Sequence, residues 1–203
     1  MGKNIGLIPL GFTEIWSASF NSAIIISAGD NAEFIAFCGI NLDITIFNKE
    51  NVYLPAFLNT YPFLNVEVEN KGKKVNSLIA IDNNPKYVAK DKKIFILDKE
   101  KNLSKQVATK VELIKELNSQ RAVCRRIIAE LKKLDLLIKK GLRVKIEGKE
   151  EKVILEEFYV INMEKLLKLD DKIIASFAKK GWMGIFDAHL KSISNFEKIL
   201  KAN

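Results

Sequence analysis

One histidine, two cysteines and four prolines in 203 residues leave this chain poor in the side chains that most often carry metal, redox or pH-switching chemistry. Cys38 and Cys124 each sit inside an apolar pattern, which reads as two buried thiols rather than a disulfide or a metal pair. Long apolar runs are also missing. The longest, Ala23–Ala28 and Phe34–Ile40, fall far short of the ~20 residues of a membrane-spanning helix. The amino terminus has one lysine and only a brief apolar stretch before Thr13-Glu14, without the core and cleavage site of a secretory signal, so residence in the cytoplasm is expected. There is no P-loop, no GxGxxG opening a helix, no GxSxG elbow and no HExxH, so no reaction class follows from motifs.

Hydrophobic residues make up 48% of the chain, enough for one sizeable core or two small ones. The net charge of +8 is unevenly placed: residues 1–103 hold eleven basic and eleven acidic side chains, residues 104–203 twenty-two and fourteen.

The spacing of apolar residues and turn formers predicts an α+β fold: a mainly antiparallel N-terminal sheet, a long central helix, then a C-terminal β-hairpin and helices. Strands are expected at Ala23–Ala28, Glu33–Cys38, Leu42–Phe47, Leu64–Val68 and Ser77–Ile81, with tight turns at Gly29-Asp30-Asn31 and Asn70-Lys71-Gly72-Lys73. Phe12–Asn21 fits either a short helix or a strand. Residues 86–103 form a lysine-rich connector, dividing a β-rich region 1–85 from a region 104–203 that either stands alone or joins it in one domain. Ser104 is placed to cap a helix running to Lys140, with Gly141 at its end. Its seam of Leu117, Cys124, Leu131 and Ile138 repeats every seven residues, and a helix of ~50 Å with such a seam suggests a homodimer formed through it. A hairpin of Leu142–Ile146 with Val153–Val160 follows, then short helices capped by Asn162 and Asp170 and a last helix from Trp182 to about Leu200.

Three groups of residues are candidates for function. The paired bases Arg125-Arg126, Lys132-Lys133 and Lys139-Lys140 recur every seven residues, which on one helix gives a stripe ~20 Å long. Such a stripe suits an acidic protein surface, an anionic membrane or a phosphate backbone, or is a solvated helix face. Nucleic acid is the weakest of these partners, since no zinc-finger spacing or aromatic RNA-binding motif accompanies it. His189, with Asp187 or Asp82, is the only candidate for acid–base catalysis, although residues two apart on a helix do not face each other. The alternative is a histidine satisfied by backbone. No metal site or cofactor is expected, because Cys38, Cys124 and His189 lack local ligand spacing.

The third group lies in Asn51–Phe63, where NVYLPAFLNTYPF places four aromatics and two prolines in thirteen positions. Leu54-Pro55 and Tyr61-Pro62 should bracket a stiff helical turn docked by its aromatics. Tyr53, Phe57 and Tyr61 are its candidate contact residues. Tyr-hydrophobic-Pro-Ala-aromatic followed by Tyr-Pro-Phe resembles the signature of the SapC family of surface-layer-associated bacterial proteins. Glu157–Ile161, Glu164-Lys165-Leu166, Lys180-Gly181 and Ile185–Leu190 resemble that family's carboxy-terminal pattern, and Leu78–Asp82 its central strand. Where many relatives carry a His-Tyr-Pro-like element, this chain reads Ser19-Phe20-Asn21-Ser22-Ala23, so any role of that histidine is absent. The resemblance is not to the peptide-transport permease of the same name, an integral membrane protein. It implies an accessory protein in the production or export of a surface-layer protein, with the basic stripe or the aromatic group meeting that client or its export machinery. The alternatives are a small enzyme acting on a peptide or surface component through His189, and a nucleic-acid-binding regulator.

Overall fold

The structure is a computed structural model and describes residues 6–40, 52–70, 73–84, 95–144 and 151–201. In chain order it contains β1 (Gly6–Pro9), a 3-10 turn (Phe12–Glu14), α1 (Ile15–Ala18), β2 (Ala23–Ser27), β3 (Phe34–Gly39), α2 (Ala56–Thr60), β4 (Phe63–Asn70) and β5 (Lys73–Ile81). Then come α3 (Lys105–Lys133), β6 (Leu137–Val144), β7 (Lys152–Ile161), α4 (Met163–Leu166), α5 (Asp171–Lys179), α6 (Trp182–Ser192) and α7 (Asn195–Lys201). The fold is mixed α+β with a long central helix, as the sequence indicates. The expected strand Leu42–Phe47 and residues 86–94 of the connector lie outside the described residues.

The chain divides into two compact units, residues 1–55 with 120–203, and residues 56–119. In the first, five strands form an antiparallel sheet in the order β1-β3-β2-β7-β6, so strands from both ends of the chain share one sheet. β2 reads Ala-Ile-Ile-Ile-Ser and is buried continuously from Ala23 to Ile26. Because neighbouring side chains on a strand point to opposite faces, both faces of the sheet are covered there. Gly29 closes the β2–β3 turn with φ of 95°, a left-handed value that a Cβ disfavours. Phe196 of α7 packs against Phe37 and Phe158, with ring centres 5.1 and 5.7 Å away. In the second unit, β4 and β5 form a hairpin, and Phe63 joins Val107 and Ile114 of α3 in a small core.

Two boundaries depart from the sequence reading. α3 stops at Lys133 rather than Lys140. The Leu136 N–H donates to the Leu131 carbonyl at 2.9 Å and the Asp135 N–H to that of Lys132 at 3.1 Å, while Asp135 takes φ of 54°. Asp135 therefore supplies the left-handed cap that was assigned to Gly141. The seven-residue seam continues to Ile138 only by coincidence of spacing, since Ile138 lies on β6. The expected last helix is likewise two, α6 and α7, separated at Ile193-Ser194. The Asn162 and Asp170 caps form as expected, accepting from the Lys165 and Lys172 N–H groups at 3.1 and 2.8 Å. Ser104 precedes α3, but its hydroxyl has no partner.

Candidate functional site

The early end of α3 corrects the basic stripe. Lys139 and Lys140 stand on β6, so the three base pairs do not share a helix face. The four cations left on α3 divide by neighbour. Arg125 pairs with Glu33 at 2.6 Å, in company with Arg121 on the same carboxylate at 2.6 Å. Lys132 donates to the Gly29 carbonyl at 2.8 Å. These two side chains hold the β2–β3 turn against the helix. Lys139 pairs with Glu157 at 2.5 Å, which raises its pKa through the hydrogen bond and charge of Glu157. Lys140 is exposed.

Arg126 and Lys133 are placed differently. With Val123, Ala129 and Glu130 they form one wall of a groove of about 660 Å³, whose other wall is Lys180 and Trp182 at the start of α6. Residues 123, 126, 130 and 133 recur at steps of three and four, which puts them on one helix face. Trp182 stacks on Phe177 at 5.4 Å, and the Lys180 ammonium lies 4.6 Å from the centre of its ring, a cation–π distance. Gly181, at φ of 73°, turns the chain between α5 and α6 so that Lys180 and Trp182 come together. Among the described residues, none of Arg126, Lys133 and Lys180 has a carboxylate at ion-pair distance. The groove therefore carries three exposed cations without an ion pair, together with one acid in Glu130 and one aromatic ring, both half-buried.

His189 is fully buried. Its Nε2 accepts the Ile161 N–H at 3.2 Å, so the proton of the neutral ring resides on Nδ1, which has no partner of good geometry. Burial pushes its pKa down to about 4, and the nearby Ile24 backbone opposes this only in part. Asp187 is exposed on the same helix while His189 points inward, so the structure does not bring the two together. Asp82 is occupied elsewhere: it accepts from the Tyr61 hydroxyl and from the Asn84 N–H, and these bonds, the hydroxyl first, lower its pKa. Burial holds the Cys38 and Cys124 thiols up at about 12. Among the described residues no three His, Cys, Asp or Glu side chains stand close enough to hold a metal ion.

The SapC family model matches residues 1–199 of the 203-residue chain. The chain belongs to the SapC family. No curated protein and no solved structure matches it. No described helix of this SapC-family chain is long and apolar enough to cross a membrane.

The aromatic motif that carries the resemblance is occupied within the chain. The Tyr53 hydroxyl donates to the buried Glu14 carboxylate at 2.9 Å, and burial followed by the Glu14 charge raises its pKa. In the other unit Tyr61 is bound to Asp82, and Phe57 on α2 is half-buried. Sequence reasoning missed Glu14, Glu33, Arg121 and Gln120. Glu14 also accepts the Gly11 N–H at 2.7 Å, and Gln120 accepts from the Thr13 hydroxyl at 2.7 Å. The available signals were a glutamate at the third position of the turn after Gly11, where it can reach back to that N–H, and a glutamate just before an apolar strand. It missed Lys180 and Trp182 as groove residues as well. Nothing in local spacing connects them to Arg126.

Proposed function

We propose that this SapC-family chain is an accessory binding protein that supports the production or export of a surface-layer protein through protein–protein contacts. The observation that carries the reading is the groove lined by Arg126, Lys133, Lys180 and Trp182, where three cations without an ion pair and an aromatic ring outnumber a single acid, Glu130. Interface anchors are drawn from Arg and aromatic residues, and a cationic surface steers acidic partners. Surface-layer proteins are commonly acidic, which suits such a surface, and contact in the cytoplasm before the client leaves it is part of the proposal.

The test is affinity capture with brief crosslinking from the native cell, comparing the wild type with a variant carrying Arg126→Glu, Lys133→Glu and Lys180→Glu. Arg125 and Lys132 are left alone because they hold the β2–β3 turn. Recovery of a surface-layer protein or its exporter by the wild type alone supports the reading. Recovery of neither, or of the same client by both, overturns it. Cys124 and Leu131, two residues of the seam expected to carry a homodimer, are buried within the chain itself.

A further inference from the structure

Away from the groove, the short helix α1 and the turn after it show two rings to solvent. Trp16 and Phe20 are 49% and 58% exposed, although Ile15, Ala18, Ser19 and Ser22 around them are buried. Four residues apart, they share one side of the helical turn, and they meet edge to face with ring centres 6.1 Å apart. The pair is preformed. The Lys191 ammonium of α6 lies 5.9 Å from the centre of the Phe20 ring, within cation–π reach. At the start of α7 the Asn195 amide donates to the Ser19 and Ser22 carbonyls at 2.8 and 3.1 Å, and exposed Lys198, three residues on, stands on the same side of α7. Two cations thus flank the rings. The acids nearby are Asp187, one turn before Lys191, and Glu197, which pairs with Lys201 at 2.5 Å.

Three properties select what this face meets. Its backbone is closed: the carbonyls of Ile15, Trp16 and Ala18 accept from the Ser19, Asn21 and Ser22 N–H groups, that of Trp16 also from the Ser19 hydroxyl, and those of Ser19 and Ser22 from Asn195. The rings can enter an apolar layer without carrying these carbonyls in unpaired. Its area is small: two half-exposed rings leave roughly 200 Å² in water, far below the ~800 Å² that each partner of a stable protein complex contributes. Partition at a bilayer boundary acts ring by ring and has no such minimum, and Trp is favoured at that depth. Its flanking charge is positive, the sign that anionic headgroups attract.

We infer that the Trp16–Phe20 face, with Lys191 and Lys198 beside it, docks on the surface of an anionic lipid bilayer and seats both rings at the boundary between headgroups and acyl chains.

This face is separate from the groove. Lys191 lies nine residues along α6 from Trp182, ~13 Å at ~1.5 Å per residue and beyond the ~10 Å over which exposed charges act in ~0.1 M salt.

The test is co-sedimentation of the full-length protein with vesicles of phosphatidylcholine alone and of phosphatidylcholine mixed equally with phosphatidylglycerol. Binding to the anionic vesicles should be at least about tenfold tighter, and Trp16→Ser with Phe20→Ser should weaken it by at least about tenfold. Lys191→Glu should also cost about tenfold, whereas Lys133→Glu, which changes the net charge equally but sits in the groove, should cost less than about twofold. Asp187→Asn should tighten binding about fivefold. Lipids brominated on their acyl chains should quench the wild type and fail to quench Trp16→Phe, in which Trp182 is the remaining indole; this measurement and Lys191→Glu decide the matter if the double serine variant does not fold. Absence of vesicle binding, equal effects of Lys133→Glu and Lys191→Glu, or quenching that persists in Trp16→Phe overturns the inference. A concentration-dependent mass in vesicle-free solution that the double serine variant loses also overturns it and assigns the face to a second copy of the chain. Failure here leaves the groove reading intact, since capture of a client rests on Arg126, Lys133 and Lys180 and not on these rings.

Discussion

His189 Nε2 accepts the Ile161 N–H at 3.2 Å, and one turn later Ser192 Oγ accepts the Ile24 N–H at 2.9 Å. β2 and β7 pair only at Ile26–Tyr159 and Ser27–Phe158. Two side chains of α6 thus satisfy backbone donors where the strands no longer pair, in a core where unpaired N–H groups are costly. The single histidine joins the sheet to its covering helix.

His189→Ala should cost about 3 kcal/mol, combining a lost acceptor for Ile161 with a cavity under Phe34, whose ring centre lies 5.9 Å from the imidazole. His189→Gln, which keeps an acceptor, should recover part of that loss. Denaturant unfolding followed by circular dichroism measures both, and a neutral His189→Ala would remove the structural role.

The same residue predicts a pH dependence of stability. Its folded pKa of about 4 lies below the ordinary 6.5, so between those values the unfolded chain binds the extra proton. Its contribution should be complete above about pH 6.5 and decline as pH falls, with about 3 kcal/mol lost by pH 4 at ~1.36 kcal/mol per unit. The difference in unfolding free energy between wild type and His189→Gln, measured from pH 8 to 4, isolates this step from the acids. A flat difference would contradict it.

Glu33→Ala should destabilise the protein by about 2–4 kcal/mol, because it leaves Arg121 and Arg125 facing each other without the carboxylate they share. Reversal of Arg126 or Lys133, both exposed, should stay within about 0.5 kcal/mol of wild type. Thermal melts of the three variants separate the structural half of the basic helix face from the free half.

Gly11→Ala should cost about 1–3 kcal/mol. A Cβ at this position would stand 2.4 Å from Gln120 Oε1, 3.0 Å from Gln120 Cβ and 3.1 Å from Glu14 Oε2. Rotation of the Gln120 amide relieves only the first of these contacts. A melting temperature equal to wild type would show that α3 can shift here without loss.

The sequence alone determined the class of the fold, most of the strands, the helix caps at Asn162 and Asp170, and the family, because these follow from short-range periodicity, turn chemistry and ordered motifs. It also placed Cys38 and Cys124 inside, since an apolar residue in an apolar pattern has few other places to go. The end of α3 escaped it because Asp135 takes a left-handed conformation usually left to Gly, and the heptad count runs on past that break. Which cations are free was decided by tertiary structure alone. Arg125 and Arg126 are neighbours of like charge, but a helix turns ~100° per residue, which sends one to Glu33 and the other to a groove. The second wall of that groove, Lys180 and Trp182, comes from more than forty residues along the chain, and only the packing of α5 and α6 beside α3 brings it there.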